Sequence, residues 1–203
     1  MMPSSTGNED RAGLRSTVDA IVQEYHQRGD VAHLLAQLAS LAVASSTGEL
    51  TAAAERYREM HEVAGPLYEV VVEREPGNAR ALVALANAYW LTGRGPDVVG
   101  DLASRAIAAD PSNRAAWHLW ALTEPSPRGR VQRWQQVAAR FADDQLARAN
   151  LADNAAALAG AEDDPVALKL AIATYESLLS AASHPEQVVA VQKALSALRG
   201  TSV

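Results

Sequence analysis

Two short segments, Glu75-Pro76-Gly77-Asn78 and Asp110-Pro111-Ser112-Asn113, carry the same punctuation 35 residues apart. Each is an acid, a proline, a small residue and an asparagine. Proline has no N–H and cannot continue a helix. Asparagine accepts a hydrogen bond from the first turn of the helix that follows it. Each segment therefore reads as the end of one helix and the start of the next. An apolar helix end precedes each (Val70-Val71-Val72 and Ala106-Ile107-Ala108), and an Ala-rich start follows (Ala79-Arg80-Ala81-Leu82 and Arg114-Ala115-Ala116-Trp117). Weaker echoes stand at Asp143-Asp144-Gln145, before Ala147–Leu158, and at His184-Pro185, before a last helix. A period in the mid-thirties with two helices per unit is the signature of a helical repeat array.

The rest of the chain is organised around that array. Residues 1–10 read as a disordered tail. A first helix fits about 11–28, with Leu14, Val18, Ile21, Val22 and Tyr25 on one face and Gly29 ending it. A second fits about 31–44, with Leu34, Leu35, Leu38, Leu41 and Ala42 on its buried side, and Ser45–Gly48 is a loop. A third fits about 50–63. Gly65-Pro66 then interrupts, and a further helix starts late, at Pro66. Glu124-Pro125-Ser126-Pro127-Arg128-Gly129 breaks the chain again before a helix over about 130–142. At the far end, Ser183-His184-Pro185-Glu186 reads as a capping box, and Gly200 stops the final helix. The expected divisions are a tail (1–10), an N-terminal helical cap (11–48), repeats (49–182), and a C-terminal capping helix with its tail (183–203).

Composition agrees with an all-helical reading. Of the 203 residues 42 are Ala, and only 5% are aromatic, which suits helices packed closely together. Sixteen Arg stand against two Lys (Lys169 and Lys193), an Ala/Arg bias that reads as bacterial-type base composition rather than chemistry. The net charge of −6 argues against a nucleic-acid partner, which needs a basic face. With no cysteine there are no disulfides and no thiol nucleophile. No apolar run approaches the ~20 residues that span a bilayer, and no signal-type segment opens the sequence. The expected address is cytoplasmic, with no membrane partner.

A search for chemistry finds no convergent set. No two of the five histidines stand at i,i+4, so no zinc pair of the H-E-x-x-H kind exists. Glu59-Met60-His61-Glu62 reads as a solvated helix face. Gly93-Arg94-Gly95-Pro96 contains G-x-G, but it lies between helices and reads as a turn. Asp143-Asp144 and Asp163-Asp164 do not continue into a calcium loop, and acids are expected near helix starts. No cofactor, metal or catalytic residue is expected.

Residues 79–111 resemble the tetratricopeptide repeat family slot by slot. Leu82 takes the large position, Leu85-Ala86 the Leu-Gly pair, Tyr89 the aromatic, Gly93 the turn, Ala106 the late small position and Pro111 the closing proline. Ala64, Tyr68, Val71 and Pro76 match the preceding second helix. Trp117 takes the large position of the next unit, and Leu151-Ala152 with Tyr175 preserve a degenerate fourth. The resemblance implies an all-α fold, a right-handed superhelix of antiparallel helix pairs (a TPR-like α-solenoid), with helical caps at both ends. Asn113–Trp120 is also similar to the Asn-x-x-x-Trp-x-x-Arg repeat of protein prenyltransferase alpha subunits, but Trp120 stands in the Arg slot and the segment occurs once.

In the tetratricopeptide family the first helix of each pair lines the concave face. The resemblance thereby nominates Arg80, Val83, Ala84, Asn87 and Trp90, then Arg114, His118 and Leu122, and Arg148 in the following unit. Asn87 falls where peptide-binding members hold a peptide backbone. The slots where those members clamp a carboxylate hold Val83 and His118 here, so the clamp is not complete. Arg80, Arg114 and Arg148 recur near helix starts and would suit acidic partners. The implied function is a protein–protein interaction scaffold or adaptor that binds a peptide or partner protein and performs no catalysis. The alternative is an accessory subunit of an enzyme complex, or a small-ligand protein using Trp117, His118 and Trp120.

Overall fold

The computed structural model describes the backbone of residues 6–200 and the side chains of residues 13–200. Eleven helices and no strand occur among the described residues: α1 (Thr6–Arg28), α2 (Val31–Ala44), α3 (Thr47–Arg56), α4 (His61–Arg74), α5 (Ala79–Leu91), α6 (Pro96–Ala109), α7 (Arg114–Leu122), α8 (Pro127–Arg140), α9 (Gln145–Glu162), α10 (Pro165–Ala181) and α11 (Pro185–Gly200). They form two compact units, one ending at Leu119 and the other starting at Trp120. In the first unit α4 packs on α2, α3 and α5, and α5 on α6; in the second α9 packs on α8 and α10, and α10 on α11.

The punctuation works as its residues require. Asn78 accepts from the Ala81 N–H at 3.0 Å and Asn113 from the Ala116 N–H at 3.2 Å. In both turns the backbone N–H of the Asn returns to the carbonyl of the acid three residues earlier, at 3.0 and 3.1 Å. The weaker echo folds the same way. Asp144 caps α9 through the Ala147 N–H at 3.0 Å, and its own N–H returns to Phe141 at 2.9 Å. The third turn thus has the same geometry with Ala142 in the proline slot.

Several boundaries differ from expectation. Helix α1 begins at Thr6, so of the expected tail only residues 1–5 precede it, outside the described residues. Helix α3 begins at Thr47, capped by a true capping box: Ser46 accepts from the Glu49 N–H, and Glu49 accepts from the Ser46 N–H. Helix α3 ends at Arg56, and α4 already starts at His61 and runs straight through Gly65-Pro66. Pro66 deprives the Glu62 carbonyl of one helical bond, but Glu62 is exposed, so the loss falls on the solvent side of the helix and not in the core. Val63, Ala64, Leu67, Tyr68 and Val71 are all buried, and their packing holds the helix across the proline. Finally, α11 starts at Pro185, with the Val188 N–H bonded to the His184 carbonyl. His184 is therefore the cap position, and Ser183 and Glu186 do not stand in the relation a capping box needs.

The core is small-residue packing, with Leu34, Leu38, Leu50, Leu67 and Leu82 fully buried among alanines. Leu35, expected on the buried side of α2, is 43% exposed instead.

A candidate peptide-binding cleft

Within the first unit, α3, α4 and α5 enclose an open cleft of about 280 Å³. Its floor is Ala64 and Ala88, both buried, with half-buried Ala84 beside them. Alanine side chains keep this floor low. Helices α4 and α5 also approach closely, since a Cβ built on Gly65 would lie 3.8 Å from the Ala88 Cβ. The burial of Leu82, Leu85, Ala86 and Ala88 fixes the rotation of α5, and that rotation leaves Asn87 exposed over the cleft. Among the described residues the Asn87 amide has no hydrogen-bond partner.

Charge surrounds the cleft in matched pairs. Arg80 meets Glu55 at 3.1 Å, and Arg58 meets Glu59 at 3.1 Å. Tyr68 lies buried at the base, 3% exposed. Burial first, and the Glu55 carboxylate second, push its phenol up to about 12. It stays a neutral phenol at any physiological pH.

A second cleft, about 480 Å³, opens on another face of α5, between α4 and α6. Val72, Leu85 and Leu102 form its floor, and Glu69, Glu73 and Asp101 its rim. Two of those acids already have partners. Glu69 takes the Tyr89 hydroxyl at 2.6 Å, and Asp101 lies 3.8 Å from Arg105.

The nominated residues separate into groups. Ala84 and Asn87 line the first cleft, and Arg80 borders it through Glu55. Val83, half-buried, and Trp90, 40% exposed, sit elsewhere on α5. Arg114 is exposed at the start of α7, and His118 is half-buried on the same helix. Leu122 and Arg148 belong to the second unit. There the Arg148 guanidinium donates to the Ala142 carbonyl in the turn before its own helix. The Trp residues serve their own turns. The Trp117 ring N–H donates to the Pro111 carbonyl at 3.0 Å, Trp134 is buried, and Trp120 carries the Arg133 guanidinium 4.5 Å from its ring centroid.

Sequence reasoning missed the α3–α4 wall of the cleft: Glu55, Arg58, Glu59, His61 and Tyr68. The Ser46-x-x-Glu49 pattern was the available signal. It starts α3 at Thr47, three residues earlier than expected. Among the described residues no group of acids and histidines is arranged to hold a metal ion. None of the described helices is long and apolar enough to cross a membrane.

No family model matches the sequence, and no curated protein matches it. Solved structures do. The thermophilic TPR protein TTC0263 of Thermus thermophilus is 16% identical with a TM-score of 0.56, over 90% of this chain and 98% of that one. PilF of Pseudomonas aeruginosa is 14% identical with a TM-score of 0.58, over 93% and 90%. MamA is 15% identical with a TM-score of 0.57, over 75% and 91%. The chain therefore has an all-α fold of the tetratricopeptide-repeat type.

Proposed function

We propose that this chain is a protein-interaction module whose first unit holds an extended segment of a partner protein in the α3–α4–α5 cleft, with no chemistry of its own. The observation that carries this reading is the Asn87 amide, exposed without a partner above an alanine floor. An amide offers both a donor and an acceptor, which matches the peptide group of an extended chain. A low floor lets that chain approach closely. The cleft is open rather than enclosed, which suits a segment passing through it better than a buried small ligand. Its paired rim charges favour neither sign strongly, and the overall charge of −6 disfavours nucleic acid. Along α5 and α7, Val83, Trp90, Arg114 and His118 extend the proposed surface.

Selection of a random linear peptide library on the whole chain tests this. Selected peptides should lose roughly 5–10-fold in affinity on Asn87→Ala, the loss of one or two modest hydrogen bonds. Ala84→Trp, which fills the cleft, should abolish binding while leaving the helical circular dichroism unchanged. Peptides that bind both variants like the parent would sink the assignment.

A further inference from the structure

We infer that α2 is a self-association surface, through which two copies of this chain pair antiparallel about a two-fold axis. Helix α2 contains no Asp, Glu, Lys or Arg in its 14 residues. Its inner side is buried, through Leu34, Leu38 and Ala42. Its outer side is also apolar: Val31 is 47% exposed, Leu35 43% and Val43 82%. The exposed positions between them are Ala32, Ala36, Ala39, Ser40 and Ala44. A helix that faces water carries charge on its outer face, and a helix closing a repeat array needs a polar one. This face meets neither condition.

The pattern of side chains names the occupant. A two-fold axis placed at the level between Gln37 and Leu38 lays a second α2 antiparallel on the first. Val43 then meets Ala32 along the line of contact, a large residue against a small one. Ala36 meets Ala39 at the crossing, where small side chains let the helix axes approach closely. The face is therefore complementary to itself, as an isologous interface requires. Charge sets the same direction. The Asp30 carboxylate caps the N-terminal end of α2. At the C-terminal end the Arg74 guanidinium donates to the Ala42 and Ser45 carbonyls at 2.7 and 2.6 Å. Antiparallel pairing brings Asp30 of each copy toward Arg74 of the other, and it opposes the helix dipoles favourably. Parallel pairing would set like ends together.

Sedimentation equilibrium of the full chain over a wide concentration range provides the test. The mass should rise from 21.5 kDa toward twice that value. Ala39→Glu should weaken pairing at least 10-fold, and Ala36→Lys likewise, with helical circular dichroism and the melting temperature of the dilute monomer unchanged. Mixing these two variants should restore a heterodimer, since position 36 faces position 39 of the other copy. Ala108→Glu, exposed on α6, and Asn87→Ala, in the proposed peptide cleft, should leave pairing intact. A chain that stays monomeric throughout, an Ala39→Glu variant that pairs like the parent, or a mixture that fails to form the heterodimer would each overturn the inference.

Discussion

The Tyr89 hydroxyl on α5 donates to Glu69 Oε1 on α4 at 2.6 Å, and the Arg94 guanidinium lies over the same ring, 5.0 Å from its centroid. The arrangement recurs in the first unit, where Tyr57 donates to Asp19 on α1 while Arg56 lies 5.8 Å from the Tyr57 ring and 3.1 Å from Asp19. In the second unit Tyr175 on α10 donates to Asp153 on α9. Alanine-rich helix faces slide easily against one another, because few side chains interdigitate. A phenol that must reach one carboxylate fixes the register that the alanines leave loose. In the first unit, that register places Asn87 over the cleft.

Tyr89→Phe removes this donor and leaves Glu69 with Arg94 at 3.8 Å. The expected cost is about 1 kcal/mol, the net worth of one partly buried hydrogen bond. Urea unfolding should show it as a lower midpoint with an unchanged slope. After Glu69→Gln the same substitution should cost less, because the two share one interaction.

Burial and the Glu69 carboxylate push the Tyr89 phenol up to about 12, and Tyr68 stands equally high. An unfolded tyrosine ionises near ~10. Between those values the unfolded chain holds fewer protons than the folded one, so stability falls as pH rises. The contribution is complete below about pH 10 and lost as pH climbs through about 12. Parallel titration of tyrosinate absorbance and helical circular dichroism should show ionisation and unfolding together in that window. In Tyr89→Phe the alkaline decline should be shallower. Tyrosines that ionise fully near pH ~10 with the helices intact would contradict it.

Gly65 lies inside α4 with φ outside the left-handed region, and a Cβ added there would meet the Ala88 Cβ at van der Waals distance, 3.8 Å. Gly65→Ala should therefore raise stability by about 0.5–1 kcal/mol, the helix-interior advantage of Ala over Gly. Gly65→Leu has no such room and should destabilise by about 1–3 kcal/mol. Thermal unfolding of the pair distinguishes a close approach that still admits one methyl from one that admits none.

In the second unit the turn before α8 depends on Arg133. Its guanidinium donates to the Trp120 carbonyl at 2.6 Å, meets Glu124 at 2.7 Å and stacks on the Trp120 ring. Lysine cannot satisfy all three, since it lacks the planar fork. Arg133→Lys should cost roughly 1–2 kcal/mol. Gly129→Ala should weaken the same turn, because its Cβ would lie 2.8 Å from the Glu124 carboxyl group. In the double variant the two losses should not add, and chemical denaturation of all four forms measures the shortfall.

The parts legible in the sequence are those written in local chemistry. Pro76 and Pro111 end helices, Asn78 and Asn113 begin them, and both follow from single residues. The nomination of Asn87 comes from the tetratricopeptide resemblance, not from single-residue chemistry. Features that depend on a distant partner were not legible. Nothing near Tyr57 marks the end of α3, because the hydrogen bond that holds it goes to Asp19 on another helix. Pro66 looks like a boundary, yet burial of its neighbours on both sides carries α4 through it. Leu35 fits the apolar stripe of α2, but the helices packed on α2 cover only part of that stripe.

Ala142 occupies the place that Pro76 and Pro111 hold in the two preceding turns. A proline needs an extended residue before it and no N–H of its own in use. Phe141 has φ −117° and ψ 79°, close to Glu75 at −127° and 72° and Asp110 at −141° and 94°. Among the described residues the Ala142 N–H donates to no backbone carbonyl. The Ala142 carbonyl, which accepts from Arg148, remains in a proline. Ala142→Pro should therefore stabilise the chain by about 0.4–1 kcal/mol, through the entropy it removes from the unfolded state. The same change at Ala138, inside α8, should destabilise by about 3 kcal/mol or more. Urea midpoints for the two variants check both signs. A loss at Ala142 would mean that the third turn does not share the backbone geometry of the first two.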